Sequence, residues 1–220
     1  VQNTLGVSAV HVVPPAIVSS QIHVVLDDIG ADAIKIGMLG DAATIRAVSE
    51  ALAKTVAPVV LDPVMVAKDG SSLLADDAVE ALKTLLLPRA TLLTPNVPEL
   101  AAISGRNVGD EEEMLAAARG LVAQGVAAVL AKGGHLDSDP VVDWLVTPSG
   151  ARVFRSPRVH TRHTHGTGCT LSSAIAAGLA KGLPLAEAVA EGRIYLQGAL
   201  ANVPGLGRGH GPLGHNFSLS

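Results

Sequence analysis

The 220-residue sequence predicts one α/β/α domain with a mostly parallel central sheet, helices on both of its faces and a late antiparallel hairpin. Three observations carry that expectation. Strand-like and helix-like apolar periodicities alternate from residue 14 to residue 131, which calls for parallel strands joined by right-handed crossovers. Apolar residues make up 48% of the chain and aromatic ones only 2%, so the core must be built from Ala, Val, Leu and Ile, the mixture of a buried parallel sheet wrapped by alanine-rich helices. The rhythm then changes at Val141, where two strand-like segments follow each other across a turn.

The elements follow in order. Pro14 and Pro15 precede Ile17, Ile22, Val25 and Ile29, with Gly30 after them, which reads as a helix with proline in its first turn and glycine at its C-terminal cap. Residues 33–39 read as a strand. Asp41 caps a second helix carrying Ile45, Val48 and Leu52 on one face, and residues 57–61 form a short apolar strand that ends at Asp62. Asp76 or Asp77 begins a third helix, stopped by Pro88, and residues 90–93 are again strand-like. A short helix spans residues 98–103. The acidic run of residues 110–113 lies ahead of Met114, Leu115, Ala118 and Leu121, where negative charge suits a helix N-terminus; we read it as capping and not as a metal site. Residues 126–131 form one more strand. Residues 141–146 pair with residues 151–154 across Pro148-Ser149-Gly150, and helices over residues 168–181 and 184–200 lead to a glycine-rich tail. No repeat, linker or second domain interrupts the chain.

Composition also narrows the function. The net charge of -4 with no basic cluster argues against a nucleic-acid or membrane partner, and no aromatic platform for stacking bases is present. One cysteine makes no internal disulfide, and no signal peptide or long apolar run stands out, so a cytoplasmic enzyme is expected.

Ligands of such sheets bind at the carboxyl ends of the strands, so the residues just past each strand carry the information. These are Lys35-Ile36-Gly37-Met38, Asp62-Pro63-Val64-Met65, Thr94-Pro95-Asn96-Val97-Pro98-Glu99 and Lys132-Gly133-Gly134-His135. A fifth stretch, His163-Thr164-His165-Gly166-Thr167-Gly168-Cys169-Thr170, runs from a polar loop into a helix, where free amides and the helix dipole suit an anion, phosphate first among them. Taken singly, each piece has an ordinary explanation: strand termination, a solvated charge, a tight turn around a small cysteine. Together they are the set that phosphoryl transfer needs. Lys132 is a cation for phosphates, Asp62, Asn96 and Glu99 are oxygen groups for Mg²⁺ and its waters, and residues 166–169 form an oxyanion cradle.

In this order, together with Gln2-Asn3-Thr4, the segments resemble the hydroxymethylpyrimidine and phosphomethylpyrimidine kinases of thiamine biosynthesis, within the ribokinase-like superfamily. The resemblance extends over the whole chain to Gly209-His210-Gly211-Pro212. It departs from the pattern Asn-Thr-His-Gly-Thr-Gly-Cys-Thr only at the first position, where His163 stands. It implies a three-layer ribokinase-like kinase domain over residues 1–220, acting with ATP and Mg²⁺ on 4-amino-5-hydroxymethyl-2-methylpyrimidine, its monophosphate, or both. It also implies a homodimer. By the same resemblance Gln2 hydrogen-bonds the pyrimidine while Met38 and Val64 pack on it. Gly166, Thr167 and Gly168 form the anion hole, Lys132 faces the nucleotide phosphates with Thr167, Asn96 and Asp62, and Asn96, Glu99 and Asp62 organise Mg²⁺. Cys169 stands where most of the superfamily carries an aspartate base. The family has a further strand and glycine-rich segment ahead of the residues matching Gln2, roughly forty residues in extent, and the sequence is expected to lack them.

Rival readings use the same residues. His160, His163 and His165 could hold zinc, and Cys169 beside a histidine could act as a covalent nucleophile. The strand-end set would also serve a pyridoxal kinase, or a non-catalytic relative that binds a pyrimidine or a nucleotide.

Overall fold

The computed structural model describes residues 1–65 and 74–217. A small antiparallel hairpin, β1 (Gln2–Asn3) and β2 (Gly6–Val7), precedes helix α1 (Pro15–Asp28). Among the described residues the main sheet has six strands in sequential order: β3 (Ile34–Ile36), β4 (Val59–Leu61), β5 (Leu92–Leu93), β6 (Val129–Lys132), β7 (Val141–Thr147) and β8 (Gly150–Ser156). The pairings from β3 through β6 are parallel, and β7 and β8 add antiparallel. The expected hairpin therefore closes one edge of a parallel sheet.

Period-two alternation along the strands divides the core in two. Val59, Leu61, Leu93, Val129 and Ala131 face the layer of α2 (Ala42–Ala51), α3 (Asp76–Ala81), α4 (Val97–Ser104) and α5 (Glu111–Ala123). Val60, Leu92, Ala128 and Leu130 face the layer of α6 (Thr167–Ala180) and α7 (Leu185–Ala201). Both faces are thus covered, as the continuous apolar runs of these strands require.

The caps follow the sequence. Asp41 accepts from the Thr44 amide at 2.7 Å and Asp110 from the Glu113 amide at 2.8 Å, so the acidic run 110–113 does cap α5. Pro88 does not stop the third helix outright. After α3 the coil widens into a π turn over Leu82–Leu86, then tightens into a 3₁₀ turn over Leu87–Arg89, where proline's missing N–H is tolerated. The inward stripe of α1 also differs from the expected one: Val18, Ile22 and Leu26, at helical i, i+4, i+8 spacing, pack on the core, while Ile17, Val25 and Ile29 stay exposed. Strand β3 is shorter than residues 33–39, because the chain leaves the ladder at Gly37 and turns toward the carboxyl edge of the sheet. That edge is where the parallel strands end together.

Candidate active site

Asp62 follows β4 directly and is only 2% exposed. Its Oδ1 accepts from Lys132 Nζ at 2.9 Å and from Thr94 Oγ1 at 3.2 Å, and Ser172 Oγ lies 3.4 Å from Oδ2. Strand ends β4, β5 and β6 and helix α6 therefore each contribute one polar group to a single buried knot. A carboxylate removed from water in this way is tolerable because it is paired and hydrogen-bonded. The pair also fixes the Lys132 ammonium at the mouth of the sheet.

Helix α6 ends on this knot. Gly166 is its N-cap at φ +83°, a left-handed conformation that suits glycine, and among the described residues no side chain caps the helix. The first-turn amides of Gly168 and Cys169 consequently have no protein acceptor among the described residues, and they carry the positive end of the helix dipole. Gly168 is pressed close: a Cβ there would lie 3.2 Å from Lys132 Nζ and 3.5 Å from Asp62 Oδ2. The cradle of residues 166–168 and the cation thus meet in one place. Cys169 is exposed beside them. A groove of about 720 Å³ opens from His165, Gly166 and Cys169 between α6 and α7.

Asn96 and Glu99 sit at the next strand exit, where they form a reciprocal cap on α4. Asn96 Oδ1 accepts from the Glu99 amide at 2.9 Å, and Glu99 Oε2 accepts from the Asn96 amide at 2.8 Å. Glu99 Oε1 lies 3.4 Å from the Met65 amide. Burial pushes the Glu99 carboxyl above its ordinary value, while the Lys132 charge and the Asn96 amide pull it back. Among the described residues no group of three His, Cys, Asp or Glu is placed to hold a metal ion. The donors of Asp62, Asn96 and Glu99 are hard oxygens suited to Mg²⁺, but each already carries a protein hydrogen bond. They fit an ion that keeps its waters and leans on substrate phosphates.

The residues expected to meet the acceptor are less firmly held. Gln2 is exposed on β1, with Nε2 3.4 Å from His165 Nε2, next to the cradle. Met38 is 51% exposed just past β3, and Val64 lies just past β4 with φ +31°. A β-branched residue in that region is strained by on the order of 1–3 kcal/mol. The three histidines disperse: buried His163 accepts the Gly211 amide at 3.1 Å, His165 meets Gln2, and His160 is exposed.

Sequence reasoning missed several supports. Thr94 and Ser172 reach Asp62 only because the sheet register and α6 bring them there. Asp143 on β7 accepts the Gly133 amide at 2.8 Å, directly after Lys132, and forms a buried ion pair with Arg193 of α7. Arg158 donates to the carbonyls of Gly134, Leu136 and Ser138, clasping the same loop. Nothing in their sequence spacing announces these contacts.

The sequence profile described as phosphomethylpyrimidine kinase matches residues 1–214. The thiamine biosynthesis bifunctional protein ThiED of Geobacter sulfurreducens is 48% identical over 215 residues, 97% of this chain, which spans 44% of that protein. The hydroxymethylpyrimidine/phosphomethylpyrimidine kinase of Streptomyces coelicolor is 46% identical over 99% of this chain and 81% of its own length. Among solved structures, a phosphomethylpyrimidine kinase from Clostridium difficile superposes with TM-score 0.79 at 38% identity, covering 89% of this chain and 80% of that one. An ADP complex of Bacillus subtilis pyridoxal kinase superposes with TM-score 0.86 at 31% identity, covering 94% and 78%.

Proposed function

The chain belongs to the phosphomethylpyrimidine kinase family, and from that premise we propose that it transfers the γ-phosphoryl group of ATP to hydroxymethylpyrimidine and to its monophosphate. The observation that carries this reading is the meeting of Lys132, Asp62 and the free amides of α6 at Gly168.

In the proposed reaction an acceptor oxygen attacks the γ-phosphorus in line. A new P–O bond forms, the bond to the β,γ-bridging oxygen breaks, and ADP leaves with that electron pair. Such a transition state spreads charge over the phosphoryl oxygens and asks the protein mainly for position and charge stabilisation. The amides of Gly168 and Cys169 take up that charge, and Lys132, held by Asp62, faces the phosphates. Removing one such donor costs about 3 kcal/mol. Bound through its waters near Asp62, Asn96 and Glu99, Mg²⁺ would neutralise phosphate charge. In this reading the Cys169 thiol takes the proton of an alcohol acceptor. A phosphate acceptor has its second pKa near 6 and arrives largely ionised, so it needs no base.

Gln2 hydrogen-bonding the pyrimidine, with Met38 and Val64 against it, completes the reading; a cytoplasmic homodimer belongs to it as well. Fold similarity does not separate this acceptor from pyridoxal, since both kinds of kinase superpose well. Relatives of 45–47% identity are named hydroxymethylpyrimidine/phosphomethylpyrimidine kinase, which favours the pyrimidine. A coupled ADP-release assay with hydroxymethylpyrimidine, its monophosphate and pyridoxal tests it. Turnover with both pyrimidines well above pyridoxal is expected; turnover with pyridoxal alone overturns the assignment.

A further inference from the structure

One cation at the carboxyl edge has no partner among the described residues. Lys35 lies on β3 in register with Val60, whose side chain belongs to the core beneath α6 and α7. Register partners in a parallel pair share a face, so Lys35 points to the α6 side, while Ile34 and Ile36 point to the other. The next position on the same face is Gly37, which stands level with Asp62, since the Asp62 amide donates to the Ile36 carbonyl at 2.9 Å. The Lys35 side chain runs along the strand toward that end: a Cβ on Gly37 would lie 2.5 Å from Lys35 Nζ and 3.6 Å from Cε. The absent Gly37 side chain is the space the ammonium uses.

Half-buried Lys35 makes no ion pair or hydrogen bond through its ammonium among the described residues, and the Asp62 carboxylate one strand away is already held by Lys132. A cation level with Asp62, whose carboxylate stands against the first turn of α6, suits an anion bound at this edge. Two anions visit a kinase of this kind, the nucleotide polyphosphate and a phosphorylated acceptor. Lys132, arriving from β6, stands on one side of Asp62. Lys35 stands on the other, on the strand whose exit carries Met38.

We propose that Lys35 is a specificity residue that binds the phosphate of the monophosphate acceptor. The inference rests on the kinase reading above and adds to it a dedicated cation for the second phosphorylation. Gly37 is the positioning residue that keeps the ammonium at the edge.

The test compares wild type, Lys35→Met, Lys35→Arg and Gly37→Ala, each with a thermal melt. Two quantities are measured: kcat/KM for hydroxymethylpyrimidine and for its monophosphate, and calorimetric binding of the monophosphate without nucleotide. The ratio of kcat/KM for monophosphate over alcohol is expected to fall at least thirtyfold in Lys35→Met and Gly37→Ala, mainly through KM, with Lys35→Arg recovering part of it. Monophosphate binding should weaken in parallel. An equal loss on both acceptors, or a ratio within threefold of wild type in a variant that melts normally, overturns the assignment. Wild type inactive on both pyrimidines overturns the kinase reading instead. Even then, equal monophosphate affinity in wild type and Lys35→Met overturns the role of Lys35.

Discussion

The two halves of the site are built to different standards. On the transfer side, Asp62, Thr94, Ser172, Lys132 and the N-terminus of α6 form a hydrogen-bonded unit drawn from three strand ends and a helix, with Asp62 almost completely removed from water. On the proposed acceptor side, Gln2 rests on a two-residue strand with one long contact to His165, and Met38 is half exposed. The difference separates two tasks. Phosphoryl transfer needs charges fixed before the substrate arrives, because reorganising them during reaction would raise the barrier. Recognising the acceptor ring needs only a few directed polar groups, which a small exposed element can carry.

Damage to the transfer side should therefore reach both acceptors alike and lower kcat. Lys132→Ala tests this most severely: kcat is expected to fall on the order of a thousandfold with either pyrimidine, read by ADP release. Gly168→Ala places a methyl 3.2 Å from Lys132 Nζ, and a loss of about a hundredfold in kcat with little change in melting temperature is expected. Cys169→Ala sharpens the contrast, because only the alcohol has a proton to give up; the ratio of the two rates should shift about tenfold toward the monophosphate. On the acceptor side, Gln2→Ala should raise KM for the pyrimidine about tenfold by removing one directed hydrogen bond, and a matching rise in KM for ATP would break the distinction between halves.

The smallest effect concerns Glu99. Burial favours its neutral form, so the folded protein holds this proton at pH values where an unfolded chain, with a carboxyl near 4.5, has released it. The stability so contributed is complete below 4.5 and is lost as pH rises through the folded value. Glu99→Gln carries no such proton, and its melting temperature should vary less than that of wild type across the pH units just above 4.5.

What the sequence made legible was whatever is local. Asp41 and Asp110 as caps, the alternating faces of residues 59–61 and 128–131, and the turn into α6 at Gly166 depend on neighbours a few positions away. Asn96-Val97-Pro98-Glu99 was legible in a second sense as well. Asn followed three residues later by Glu is the pattern of a reciprocal helix cap, and the structure uses it so. The convergence of Asp62 and Lys132 was foreseeable only as residues at strand ends, since their separation of 70 positions carries no local signal. Asp143 with Arg193, and Ser172 under Asp62, could not be foreseen, because β-register and helix placement alone create them. The free amides of α6 and the packed Gly168 lie between these cases: the glycines announced a turn, and only the fold shows what stands against it.

The contact between the hairpin and the tail acts in time as well as space. The amides of Gly209 and His210 donate to Thr4, on the turn that follows Gln2, and Gly211 donates to His163, just ahead of the cradle. The Gly209 to Thr4 bond closes a loop of 205 residues. A closure of that length is costly in chain entropy and rewards folding late, whereas the bonds of the Asp62 knot join positions 32 to 110 apart. In native-state hydrogen exchange the His210 amide should therefore open at a fraction of the free energy needed at Leu93, so that the hairpin carrying Gln2 breathes while the ends of the parallel strands stay shut.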